Sequence, residues 1–142
     1  MKKYVVVVEC AIECNDKYLI IRRPEGKHGG GLLSFAGGKV EEQDEVNSFD
    51  MLRAAIRREI LEELGLELTG NLDYITSEYF VDSSGIHAIN NLFYYKYDSA
   101  PTVAPCEREV PWFGWMSKEE IISAENSSEW LKILINLLEV NK

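Results

Sequence analysis

The sequence has 142 residues, of which 46% are apolar and 27% charged, with 24 acids against 15 bases and a net charge of -9. That length suits one domain, here residues 1–142, with enough chain to bury a core. The acidity argues against nucleic acid as a partner, because the phosphate backbone would be repelled, and it suits hard cations that prefer oxygen ligands. Val5-Val6-Val7-Val8 runs into Glu9 and Glu13, so the N-terminal apolar stretch is too short and too charged for a signal peptide or a membrane span. Cys10, Cys14 and Cys106 show no paired CxxC spacing. They fit neither a disulfide framework nor a zinc site, and read as reduced thiols of a cytoplasmic protein.

Tyr4 to Glu13 is rich in β-branched residues and predicts a strand, with Asn15-Asp16 as a turn and Tyr18 to Arg22 as the hairpin partner. Residues 24 to 38 hold seven glycines and prolines, from Pro24 to Gly38, and are expected to form a loop. An acidic stretch from 41 to 50 follows. Ser48 or Asp50 is placed to cap a helix running from about Met51 to Leu64 and stopping at Gly65. Leu72 to Val81 and Ile86 to Tyr97 predict two strands joined by Asp82-Ser83-Ser84-Gly85. A proline-bearing loop spans 100 to 111. Ser117 with Glu120 three residues on makes a capping box for a short helix, and Glu129 to Val140 predicts a last amphipathic helix. Strands and helices mixed around one core give an α/β (α+β) class, a mixed sheet sandwiched between helices.

Chemistry concentrates in Arg57-Arg58-Glu59-Ile60-Leu61-Glu62-Glu63-Leu64-Gly65-Leu66. Glu59, Glu62 and Glu63 stand at i, i+3 and i+4, which on a helix puts three like charges on one face. At roughly 100° per residue, Leu52, Ile56, Ile60 and Leu64 form the apolar stripe. Glu59 and Glu63 fall on or beside it, and Glu62 to one side. Carboxylates at the edge of a packed face pay for desolvation unless a cation or an arginine answers them. The plain alternative is a solvated face with Arg53, Arg57 and Arg58 as helical partners. Upstream, Gly37-Gly38-Lys39-Val40-Glu41 supplies two glycines whose backbone approaches a ligand closely and whose carbonyls suit a hard cation.

Together these residues resemble the Nudix box, Gly-x5-Glu-x7-Arg-Glu-U-x-Glu-Glu-x-Gly-U with U a bulky aliphatic. Its second half is matched by Arg58, Glu59, Ile60, Glu62, Glu63, Gly65 and Leu66; its first half begins at Gly38. Gly38 to Arg58 is six residues longer than that pattern, so the first Glu of the box falls on Asp44 counting forward and on Asp50 counting back. The family often has proline before the two glycines, where this chain has Ala36. The resemblance implies a Nudix fold and metal-dependent hydrolysis of a nucleoside diphosphate linked to another group, closest in kind to MutT-like nucleoside triphosphate pyrophosphohydrolases. It implies Mg²⁺, with Mn²⁺ as a substitute, held by Glu59, Glu62, Glu63 and the carbonyl of Gly37 or Gly38, with Arg58 orienting a glutamate. A general base from a later loop would be Glu107 or Glu109, with Glu109 preferred.

Arg22, Arg23 and Lys39 flank the glycines as phosphate contacts; Phe35, Tyr79, Phe80 and Trp112 are candidates to stack on a base or simply to fill core. His87 reads as structural. Substrates other than triphosphates, ADP-ribose or a nucleotide sugar, stay open, as does a silent nucleotide-binding sensor. An isomerase of the same fold needs a pocket cysteine, and Cys10, Cys14 and Cys106 lie away from the box. Many relatives are dimers, which leaves a homodimer open.

Overall fold

The computed structural model of the protein describes residues 1–47 and 49–142; Ser48, offered above as a helix cap, lies outside them. Seven strands form one mixed sheet: β1 (Val5–Cys14), β2 (Lys17–Arg22), β3 (Leu33–Ser34), β4 (Ala36–Lys39), β5 (Asp73–Val81), β6 (His87–Lys96) and β7 (Trp112–Met116). The main path runs β3-β2-β1-β6-β5, with β4 also pairing β1 and β7 pairing β2. β1 is the hub. It runs parallel to β6 along its length, while its other edge is shared between β4 (Val7↔Lys39 to Cys10↔Ala36) and the β2 hairpin. The hairpin turn uses Asn15 and Asp16 at φ 51° and 61°, left-handed backbone that these two residue types tolerate best after glycine.

Both faces of the sheet are covered, and alternation along the strands sorts the side chains between them. Val8, Cys10, Ile12, Leu19, Ile21 and Phe93 pack under α1 (Met51–Leu64) with Ile56, Ile60 and Leu64. Ala11, Tyr18, Ile20, Phe35 and Leu92 pack on the opposite face under α2 (Lys118–Ser123) and α3 (Glu129–Asn141), with Ile121, Leu131 and Leu134. Ile60 is fully buried, so Ile60→Ala should cost about 2–5 kcal/mol.

α1 has the predicted bounds and ends at Gly65 in the left-handed region, φ 66°, its N–H donating to the Leu61 carbonyl. Asp50 occupies the N-cap position without a side-chain cap bond; its carboxylate instead pairs with Arg53. Ser117 and Glu120 form the full capping box of α2.

One expectation is corrected. Residues 24–38 are not loop throughout: Leu33–Ser34 is β3, and β4 begins at Ala36 and runs past the segment to Lys39. Gly37 and Gly38 have ordinary negative-side backbone and serve close approach rather than a turn. A Cβ on Gly37 would lie 2.0 Å from the Val8 carbonyl oxygen. Trp112–Met116, unassigned in the sequence reading, is strand β7.

Candidate active site

Six residues of α1 are buried: Ala55, Ile56, Glu59, Ile60, Glu63 and Leu64. Two carboxylates thus share the packed face, as the periodicity requires, while Glu62 is exposed. The arginine partners that a solvated face would use are mostly elsewhere. Arg53 donates to the Leu72 carbonyl at 2.9 Å and lies over the Phe93 ring; Arg57 donates to the carbonyls of Leu68 and Gly70. These bonds fasten the segment after α1 and leave the glutamates to Arg58.

Arg58 is the hub of the acidic cluster. Its Nε and Nη2 each donate to Asp44 at 2.9 Å, a bidentate pair. Nη1 donates to Glu59 at 2.8 Å and to Glu62 at 3.2 Å, and Nη2 also reaches the Lys39 carbonyl. Glu41 stands 3.7 Å away. Hydrogen bonding from Arg58 holds the Asp44 carboxyl below the usual range, and Asp44 in return keeps Arg58 charged. Of the two aspartates that the box spacing left open, Asp44 is therefore the one inside the cluster; Asp50 is exposed on Arg53.

The helix meets β4 at one point. A Cβ on Gly38 would lie 2.4 Å from the Glu59 carboxyl carbon, so only glycine leaves room for that carboxylate against the strand. Burial raises the Glu59 pKa, countered by Arg58 and reinforced by the charges of Glu62 and Glu109. Glu63 is pushed up to about 9, by burial first and then by Glu59 and Glu109, with Arg23 acting against the rise. No ion pair reaches Glu63 among the described residues. Nor do three carboxylate, thiol or imidazole groups converge there to form a closed metal cage.

The donor set nonetheless fits a hard cation. It is all oxygen, it includes a buried carboxylate without a counter-ion, and the Gly37–Gly38 backbone lies beside it. Residues 104–110, which carry Glu107 and Glu109, are tied to the end of α1. Ala104 N–H donates to the Leu64 carbonyl and Cys106 N–H to the Glu63 carbonyl, both at 2.8 Å, and Val110 is buried behind them. Glu107 and Glu109 are both exposed on this loop.

β4 is also a wall of the larger cavity, of about 500 Å³, which opens between the sheet and α3. Arg23 and Lys39 line it, as do His28, Phe80 and Trp130. The His28 ring stacks between those of Phe80 and Trp130, with centroids 5.7 Å from each. Tyr79 lines this cavity and is stacked on His87 and hydrogen-bonded to it. Phe35 is core and Trp112 lies outside this cavity. Arg22 with Arg23 and Arg108 borders a separate, more open cleft. Sequence reasoning missed His28, Trp130, Glu9 and Asn90. The last two are buried polar residues facing each other across β1 and β6, and Asn90 Nδ2 donates to Glu9 Oε1. Burial pushes Glu9 up to about 7, with the Arg23 charge and the Asn90 bond acting against it.

The profile of the NUDIX domain matches residues 3–138. The chain belongs to the Nudix family. As a Nudix protein it shares the fold of a MutT protein from Methanosarcina mazei Go1, with a TM-score of 0.80 at 24% identity, covering 99% of this chain and 97% of that one. It also resembles the solution structure of the E. coli ORF135 protein, with a TM-score of 0.70 at 29% identity, over 98% and 94% of the two chains. A curated relative, the CTP pyrophosphohydrolase of Escherichia coli (strain K12), is 40% identical over 75 residues. That match takes in 53% of this chain and 50% of the relative. Among the described residues no helix of this Nudix chain is long and apolar enough to cross a membrane.

Proposed function

We propose that this Nudix protein is a pyrophosphohydrolase acting on nucleoside triphosphates. The observation that carries the reading is the buried Glu59–Glu63 pair, one member without a counter-ion, against the β4 glycines, whose other side lines a cavity large enough for a nucleotide. The partial match to a relative named as a CTP pyrophosphohydrolase supports it.

Glu59, Glu62, Glu63 and the Gly37 or Gly38 carbonyl would hold a divalent cation, Mg²⁺ or Mn²⁺. Such an ion supplies charge neutralisation for the diphosphate and acidifies water. The chain's own residues do the rest. Arg58, fixed by Asp44, sets the orientation of Glu59. Arg23 and Lys39 meet the phosphate oxygens from the cavity side. Glu109, on the loop fastened to the end of α1, would accept the proton of the attacking water. The water oxygen bonds to phosphorus, the P–O bond of the anhydride breaks, and the leaving phosphate or pyrophosphate carries away the electron pair.

The test is release of phosphate or pyrophosphate with Mg²⁺ from canonical and oxidised nucleoside triphosphates, ADP-ribose, nucleotide sugars and dinucleoside polyphosphates, with Glu62→Gln as control. Turnover of triphosphates, reduced in the variant by about two to four orders of magnitude, is the expected result. Turnover confined to ADP-ribose or nucleotide sugars would move the substrate class. Nucleotide binding without turnover of any compound would make the chain a silent sensor and overturn the reading.

A further inference from the structure

Two buried acceptors lie without a partner in residues of the cavity wall. Glu9 and Asn90 are 6% and 5% exposed, and both line the cavity between the sheet and α3. Asn90 spends its Nδ2 donor on Glu9 Oε1, which fixes the amide orientation and turns its Oδ1 away from the carboxylate. Glu9 Oε2 and Asn90 Oδ1 are then the buried side-chain atoms that lack any hydrogen bond among the described residues. Leaving a buried acceptor unmet is unfavourable, because its lost hydration is not replaced. A pair of them in one cavity, beside aromatic rings that suit a flat ligand, is a cost that a ligand with donors would remove.

We propose that Glu9 and Asn90 read the base of the nucleotide and select one that carries an exocyclic amino group, against uracil and thymine. This rests on reading the cavity as the nucleotide site. An amino group on cytosine, adenine or guanine offers two N–H donors and no acceptor, since its lone pair is delocalised into the ring. It can meet both orphan oxygens together. Uracil and thymine put a carbonyl oxygen in the corresponding place and have a single N–H between two carbonyls, so acceptor meets acceptor. Acidic side chains read the amino group of cytosine in this way elsewhere, with about 5- to 150-fold discrimination for each well-made pair. With a cavity of about 500 Å³, ring size does not decide; donor pattern does.

The test compares kcat/KM for CTP, ATP and GTP with that for UTP under Mg²⁺ at pH 8, together with calorimetric binding of CMP and UMP, which needs no turnover. CTP should exceed UTP by about 100-fold, and CMP should bind at least about tenfold more tightly than UMP. Glu9→Gln places an amide N–H where a carboxylate oxygen stood, so the CTP-to-UTP ratio should fall below about 10 as UTP improves. CTP and UTP within threefold in the native protein would overturn the proposal while leaving hydrolysis intact, as would an unchanged ratio in a folded Glu9→Gln. CMP preferred over UMP without any triphosphate turnover would sustain the base reading and overturn the hydrolase one. Neither binding nor turnover would overturn both. Should Glu9→Gln fail to fold, the native CTP/UTP and CMP/UMP comparisons decide.

Discussion

Adding one methyl group at each of the two β4 glycines should separate folding from chemistry. At Gly38 the new Cβ would stand 2.4 Å from both the Cδ and Oε2 of Glu59. These are the end of a flexible side chain, which can swing aside. Its move sacrifices the 2.8 Å bond from Arg58, while Arg58 keeps Asp44 and Glu62. The stability loss should be about 1 kcal/mol, or about 3–4 °C in melting temperature for a chain of this size. The carboxylate, however, would sit about 1 Å or more from its place, and such a shift at a reacting centre costs about 100-fold, or about 2.7 kcal/mol. At Gly37 the same methyl would meet the Val8 carbonyl oxygen at 2.0 Å and the Glu9 Cα at 2.7 Å. Those are backbone atoms of β1, the hub strand, and cannot yield without opening the β1–β4 pairing. Gly37→Ala should therefore lose at least about 3 kcal/mol of stability. Thermal melts and triphosphate turnover, measured side by side on the two variants, check the contrast. Native-like turnover in Gly38→Ala, or a native-like melt in Gly37→Ala, would refute the argument from close approach.

The loop carboxylates and the arginine cluster give further outcomes. Glu109→Ala should lower turnover by about 10²–10⁴-fold with an unchanged melt, since the residue is exposed, while Glu107→Ala should leave both nearly as they are. Asp44→Asn should cost about 1.5–3 kcal/mol at neutral pH, because a buried bidentate partner of Arg58 loses its charge; Asp50→Asn, on an exposed pair, should cost under about 1 kcal/mol. The Asp44 carboxyl has a depressed folded pKa, so its contribution is present above the unfolded value of about 3.9 and disappears as pH falls through the folded one. Melting curves at descending pH should show native protein and Asp44→Asn converging below about pH 4. Glu63→Gln should raise the melting temperature of metal-free protein at neutral pH, since the folded chain no longer holds a carboxyl whose pKa is raised by burial, and should abolish most turnover.

Sequence carried local structure well wherever the cause was itself local. The bounds of α1, the Gly65 stop, the Ser117 capping box and the Asn15-Asp16 turn each depend on residues within one turn of each other. β4 was not legible in this way. Gly37 and Gly38 have no strand propensity of their own, and what extends them is the β1 edge about thirty residues earlier, reached at a distance that no side chain permits. The site divides along the same line. Glu59, Glu62 and Glu63 announced themselves through helical spacing, and the choice between Asp44 and Asp50 did not, because it turns on which carboxylate the 3-10 segment Glu42–Asn47 lays against Arg58.

Glu9 and Asn90 show what this limit means for specificity. In the sequence Glu9 only interrupts a valine run, and Asn90 is one of two adjacent asparagines separated from it by 81 residues. Nothing local marks either. Parallel pairing of β1 with β6 brings them together on the α3 face, and the alternation that sends Val8 and Cys10 under α1 sends Glu9 to the cavity. The carboxylates proposed for hydrolysis lie on one helix and are repeated in a recognisable spacing, since the metal needs them close. The groups proposed to read the base come from two strands and owe their meeting to the sheet. A change at either strand position can therefore alter which nucleotide is accepted without touching the box.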